Sequence, residues 1–300
     1  MRVFVTGATG FIGSAVVSEL IDVGHEVVGL ARSDEAAAAV VAAGAEVRRG
    51  DLNDLESLRD GAAASDGVIH CAYIHDFSQM GSAANTNNRA IEALGAALEG
   101  SGRPLVVTSG TALVAPGRLA TETDTAAGGA HPRVESERIA LALASRGIRL
   151  SILRPPPSVH GEGDHGFVPV LIDIARAKGV SAYVGDGANR WPAVHRLDAA
   201  HLYRLALEAA PAGTVLHAVG EEGVPTRDIA EVIGRHLDLP VVSVDPDAAS
   251  DHFGWIGAFF ALDVPASSAL TRQRLGWEPT QPGLIADLDQ GHYFHVTAAV

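Results

Sequence analysis

Short, β-branched apolar runs recur along the first half of the chain. They fall at Val3–Thr6, Glu26–Leu30, Glu46–Arg49, Val68–His70, Leu105–Thr108 and Arg149–Leu153. Between them the apolar positions take helical spacing, over residues 12–23, 35–43, 54–63, 87–98 and 134–145. Strands alternating with helices of this length predict βαβ units. Right-handed crossovers then give a doubly wound parallel sheet, an α/β fold.

The pattern loosens after Leu153. Arg154-Pro155-Pro156-Pro157 ends regular structure. A loop rich in Gly, His and Asp follows at 160–166, then a helix over 167–177 and a loop over 185–192. Asp198 suits the N-cap of a helix over 199–209, Val215–Ala218 suits a strand returning to the sheet, and Thr226 suits the cap of a helix over 227–237. The tail carries Phe253, Trp255, Phe259 and Phe260. The expected division is residues 1–158 with 192–222 in the sheet domain, and 159–191 with 223–300 in a smaller lobe.

Charge and composition narrow the function classes. The 300 residues hold 22 basic and 36 acidic side chains, a formal charge of −14, which argues against nucleic acid as a partner. No apolar run approaches the roughly 20 residues that span a bilayer, and Met1-Arg2 leads directly into strand-like sequence, unlike a signal peptide. A single cysteine, Cys71, excludes an internal disulfide framework and fits a reducing, cytoplasmic setting. No Cys/His set stands at a zinc spacing, so no metal is expected.

The sharpest motif is Thr6-Gly7-Ala8-Thr9-Gly10-Phe11-Ile12-Gly13, between the first strand and the first helix. Gly7 permits a tight turn, Gly10 lets the backbone approach a pyrophosphate, and Gly13 lets the helix pack on the strand. The helix N-terminus favours the phosphates. At the end of the second strand, Gly29-Leu30-Ala31-Arg32-Ser33 has no acid to bind ribose hydroxyls. Arg32 can fork onto a 2′-phosphate, which favours NADP(H) over NAD(H). Asp34 and Glu35 follow and offer Arg32 a surface ion pair instead. Asp51-Leu52 would lie beside the adenine, although Asp51 also suits a cap for the next helix.

These residues, with Thr108-Ser109-Gly110-Thr111, Leu153-Arg154-Pro155, Val159-His160-Gly161 and Val194-His195-Arg196-Leu197-Asp198, resemble the short-chain dehydrogenase/reductase family. The layout is similar to its extended, epimerase/dehydratase-like branch. The resemblance implies a Rossmann domain, a C-terminal substrate lobe, hydride chemistry on a small molecule, and pairing into homodimers. The cofactor contacts it implies are Gly7, Thr9, Gly10, Phe11, Ile12 and Gly13 in the turn, Arg32 and Ser33, Asp51 and Leu52, then Cys71, Ala72 and Pro155.

One element of the family pattern is missing. Family members use a Ser to steady the substrate oxygen and a Tyr four residues before a Lys to move the proton. Ser109 matches the Ser. The chain has one lysine, Lys178, preceded four residues earlier by Ile174. Phe77, Gly187, Leu207 and Thr297 stand four residues after its tyrosines. Counting back from Arg154 with Glu137 as the helix glutamate puts Arg133 at the Lys position and Gly129 at the Tyr position. Arg133 would hold ribose or substrate, since a guanidinium does not exchange protons near neutral pH. His131 or His165 would donate the proton.

The expected activity is therefore an NADP-dependent reduction of a carbonyl or imine carbon in a small, apolar substrate. Two other classes stay open: an NADP(H)-binding sensor without turnover, and an epimerase that retains its cofactor.

Overall fold

A computed structural model describes residues 1–74, 79–112, 114–125 and 132–295. The first half runs β1 (Arg2–Thr6), α1 (Phe11–Asp22), β2 (Glu26–Ala31), α2 (Asp34–Ala42), β3 (Glu46–Arg49), α3 (Leu55–Ala63), β4 (Gly67–His70), α4 (Met80–Leu98), β5 (Pro104–Thr108), α5 (Pro132–Ala142) and β6 (Arg149–Arg154). Then come β7 (Ser158–His160), α6 (Phe167–Lys178), β8 (Ser181–Val184), β9 (Arg190–His195), α7 (Arg196–Ala209), β10 (Thr214–His217), β11 (Glu221–Pro225), α8 (Thr226–Leu237) and β12 (Val241–Val244).

Seven strands form one parallel sheet in the order β10-β6-β5-β4-β1-β2-β3. This is the Rossmann-type α/β fold. The strand order reverses beside β1, and the carboxyl ends of β1 and β4 open the crevice where such sheets bind ligands. Side-chain alternation splits β1 between two cores. Val3 and Val5 pack with Val16, Leu20, Leu202 and Tyr203 of α1 and α7. Phe4, between them, packs with Leu58, Ile91, Leu94 and Ala140 of α3, α4 and α5. Both faces are thus covered, as a parallel sheet requires. Among the described residues no helix is long and apolar enough to cross a membrane.

A second set of elements packs on its own apolar core. β11, β9 and β7 form a three-stranded sheet, and β12 pairs with β8. Val168, Leu171, Trp191, Ile229, Ile233, Phe253 and Phe260 fill that core.

Local readings differ from the structure in four places. The loop expected over 185–192 ends at Asn189, because Arg190–His195 form β9, paired with β7 and β11. α4 begins at Met80, seven residues before the apolar periodicity, because Gly81-Ser82-Ala83-Ala84-Asn85 carries little hydrophobic signal yet is compatible with helix. The N-cap of α7 is His195, whose ring accepts from the Leu197 amide. Asp198 instead accepts from the amides of Thr280 (2.9 Å) and Gln281 (3.0 Å), a tie to the C-terminal tail that local sequence does not encode. Thr226 likewise lies inside α8, behind the cap Pro225, and donates to Asn189 Oδ1 at 2.6 Å.

Candidate functional site

The site starts at the turn after β1. Gly7 sits at φ +69°, in the left-handed region. A Cβ on Gly7 would lie 2.7 Å from the Ala72 amide nitrogen, so this turn is pressed against the exit of β4. A Cβ on Gly13 would lie 1.9 Å from the Gly7 carbonyl oxygen, so only glycine fits there. The Gly10 amide closes the turn on that carbonyl at 2.9 Å. α1 then begins with no side-chain cap and no acid in its first turn. Its leading amides are available to an anion, and the cradle fits the pyrophosphate of a dinucleotide. Thr9 and Gly10 are exposed, Ile12 packs on the core, and Phe11 presents its ring to Arg196 (5.0 Å) and to His165 (5.8 Å).

At the end of β2, Arg32 is exposed. The two acids that follow it have other partners. Asp34 forms an ion pair with Arg49, and the Glu35 carboxylate is held below its usual range by its own backbone amide and the Ser33 hydroxyl. Ser33 Oγ accepts from the Ala36 amide and caps α2. Asp51 ties its own turn by accepting from Asn53 (2.6 Å) and Asp54 (3.3 Å), while Asp54 is the cap of α3. Leu52 is buried in the core beneath α3.

A polar column runs under the carboxyl edge of the sheet. The Ala72 amide donates to Thr6 Oγ1 (3.3 Å), and that hydroxyl contacts His70 Nδ1 (2.7 Å). His70 Nε2 lies 3.0 Å from Asn87 Oδ1. The set is satisfied by a neutral imidazole with its proton on Nε2. Burial pushes the His70 pKa down to about 4. Next to it, Thr108 Oγ1 donates to the His70 carbonyl (2.8 Å) and accepts from the Tyr203 hydroxyl (2.7 Å). Burial raises the Cys71 thiol to about 12, so Cys71 is a neutral packing group on Thr108 and Tyr203 rather than a nucleophile.

α5 delivers Arg133 to this edge. Glu137, one turn further along, is buried in an ion pair with Arg154 at the end of β6 (Nε to Oε2, 3.0 Å). Arg154 also donates to the Asp124 carbonyl and to His217 Nε2. Residues four apart share a helix face, so the clamp on Glu137 turns Arg133 inward. The Arg133 guanidinium lies 3.8 Å from the centre of the Tyr73 ring. Asn88 of α4 accepts from Ser136 of α5, which holds the two helices together. Ser109 follows β5, its amide on the Leu153 carbonyl (2.8 Å); Thr111 donates to the carbonyl of Pro155 (3.0 Å). His131 lies outside the described residues.

A profile for the NAD-dependent epimerase/dehydratase family matches residues 3–219. The chain belongs to that family. An uncharacterized protein of Schizosaccharomyces pombe is 53 % identical over 98 % of this chain and 100 % of its own. The 4-hydroxy-2-methyl-3-oxo-4-farnesyl-3,4-dihydroquinoline-1-oxide ketoreductase of Stigmatella aurantiaca is 30 % identical over 85 % of this chain and 80 % of its own. A solved structure of MoeE5 in complex with UDP-glucose and NAD shares the fold, with a TM-score of 0.74 and 22 % identity over 97 % of this chain and 98 % of that one.

In this epimerase/dehydratase member the loop after β7 is tied at several points. The Tyr293 hydroxyl accepts from the Gly161 amide and donates to Asp164 Oδ2, both at 3.0 Å, and Arg196 donates to the Glu162 carbonyl. His160, buried, lies 2.8 Å from Asp287 and links β7 to the tail. His165 is at the Phe11 ring, while Arg133 is at the Tyr73 ring. The 189–191 stretch serves the lobe itself. Asn189 donates to the Phe260 carbonyl, Arg190 forks onto Asp263, and Trp191 is fully buried. Phe167, Trp191, Trp255 and Phe259 form one aromatic cluster with ring centres 5.1–6.1 Å apart, from which Trp255 is 54 % exposed. Ala112, three residues after Ser109, packs on the same apolar core.

Tyr73, Tyr203 and Thr108 were not singled out from sequence as site residues. The one available signal was position: Tyr73 comes three residues after β4, at the strand end that faces the glycine turn.

Proposed function

We propose that this epimerase/dehydratase-family protein is an NADP-dependent reductase acting on a carbonyl or imine carbon of a small, apolar substrate. The observation that carries the cofactor choice is Arg32, exposed at the β2 terminus while both neighbouring carboxylates are engaged elsewhere. A guanidinium placed there suits a 2′-phosphate, and the glycine turn suits the pyrophosphate. The bound dinucleotide would supply the hydride. Ser109 would hydrogen-bond the substrate oxygen, and Arg133 would hold charge at the same edge. The aromatic cluster continues to the Ser109 loop through Ala112 and supports an apolar substrate. The ketoreductase relative, whose name carries a farnesylated quinoline, points the same way.

Calorimetry is expected to show tighter binding of NADP than of NAD. Arg32→Asp should weaken NADP about 10- to 100-fold, the worth of a charged hydrogen-bonded contact, with NAD changed far less. Equal losses would remove the phosphate role. NADPH should be consumed with apolar ketones or imines. Tight NADP binding without consumption across such a panel would indicate a binding protein instead.

A further inference from the structure

We infer that Tyr73 is the proton donor to the substrate oxygen and that it works as a pair with Arg133. The inference rests on the reductase reading above. Tyr73 directly follows Ala72, whose backbone abuts the Gly7 turn of the cofactor cradle. On its other side, β4 pairs with β5 in the register His70↔Val107, which brings the exits of the two strands, Tyr73 and Ser109, to about the same height on neighbouring strands. Tyr73 therefore stands between the cofactor turn and the Ser109 loop. The Arg133 guanidinium lies 3.8 Å from its ring centre. Arg133 also acts electrostatically on His70 and Tyr203 beneath this edge. The other acids nearby are poorly suited. His70 is buried beneath this edge and neutral. Tyr203 is fully buried. Cys71 is held as a thiol. Tyr73 is half-buried, and burial raises its pKa while Arg133 lowers it. A phenol that keeps its proton at neutral pH suits the reductive direction.

In the reduction, a bound reduced nicotinamide dinucleotide would supply hydride, with its electron pair, to the carbonyl carbon. The C=O π bond breaks toward oxygen, and the Tyr73 O–H proton passes to that oxygen. The phenolate left behind is stabilised by Arg133 and regains a proton from water.

Tyr73→Phe removes the hydroxyl and keeps the ring over which Arg133 lies. Its kcat for NADPH-dependent reduction should fall about 100-fold or more, while its NADPH dissociation constant by calorimetry stays within about twofold of wild type. Wild-type reduction should decline at alkaline pH as the phenol ionises. Arg133→Gln should move that limb to higher pH, and ultraviolet titration of tyrosinate should show the same displacement in the absence of turnover. Unchanged kcat in Tyr73→Phe overturns this inference and leaves the reductase reading standing. So does a tyrosinate titration unmoved by Arg133→Gln. Absence of NADPH oxidation in wild type overturns the reading itself, and the inference with it.

Discussion

Arg154→Ala is expected to cost about 3–5 kcal/mol of folding stability, the usual penalty for breaking a buried ion pair. Arg154 is 1 % exposed and Glu137 is 7 % exposed. Removing the guanidinium leaves the carboxylate buried without its cation. It also strands the Asp124 carbonyl and His217 Nε2, which accept from the same group. Against a typical total of about 5–15 kcal/mol, this is a large share. The exposed Arg190–Asp263 pair makes the contrast: its loss should cost about 1 kcal/mol or less. Urea unfolding followed by circular dichroism reads both. A loss below about 1 kcal/mol in Arg154→Ala would mean that water reaches Glu137 and that the clamp on α5 is weaker than its geometry. Replacing both partners with apolar residues should recover much of the loss.

The second large effect is acid sensitivity. His70 is buried neutral, with its pKa pushed from 6.5 to about 4. His217 is pushed the same way by burial and by Arg154, and its Nε2 accepts from that guanidinium. Above pH 6.5 neither the folded nor the unfolded imidazole carries a proton, so neither group affects stability. Below 6.5 the unfolded chain takes up protons that the folded chain refuses, and stability falls until the folded groups protonate near pH 4. Each pH unit that separates the unfolded from the folded titration is worth about 1.4 kcal/mol, so His70 alone costs roughly 3 kcal/mol by pH 4, and His217 adds to it. Urea midpoints measured from pH 7.5 to 4.5 should drop steadily below 6.5. A flat profile across that interval would show that water or a proton reaches these rings in the folded state.

The alternation of strands and helices was legible because the inner parallel strands are buried on both faces and each helix on one stripe, which leaves apolar runs for the first and a helical period for the second. The glycine turn was legible for a related reason. The left-handed φ of Gly7 and the 1.9 Å approach that a Cβ on Gly13 would make to the Gly7 carbonyl are constraints within a few residues; the press of Gly7 against Ala72 is not. The apolar periodicity starts seven residues into α4 because the first two turns of that helix are mostly small and polar. Asp198 looked like a cap because its local setting is that of a cap, whereas its partners, Thr280 and Gln281, are about eighty residues away.

The candidate site divided along the same line. The missing lysine partner was visible as a count, since one lysine and four tyrosines at the wrong spacings cannot make a pair on one helix. What stands in its place was not visible. Tyr73 leaves β4 and Arg133 opens α5, and they meet only because β4 and β5 are neighbours and Glu137 is clamped to Arg154. Sequence by itself determined the strands and helices, the phosphate turn and the arginine at the end of β2, because each depends on residues near one another in the chain. The tertiary structure decided which acids Arg32 escapes, which histidines are buried and neutral, and which phenol Arg133 meets, because those are matters of contact and desolvation between segments far apart in sequence.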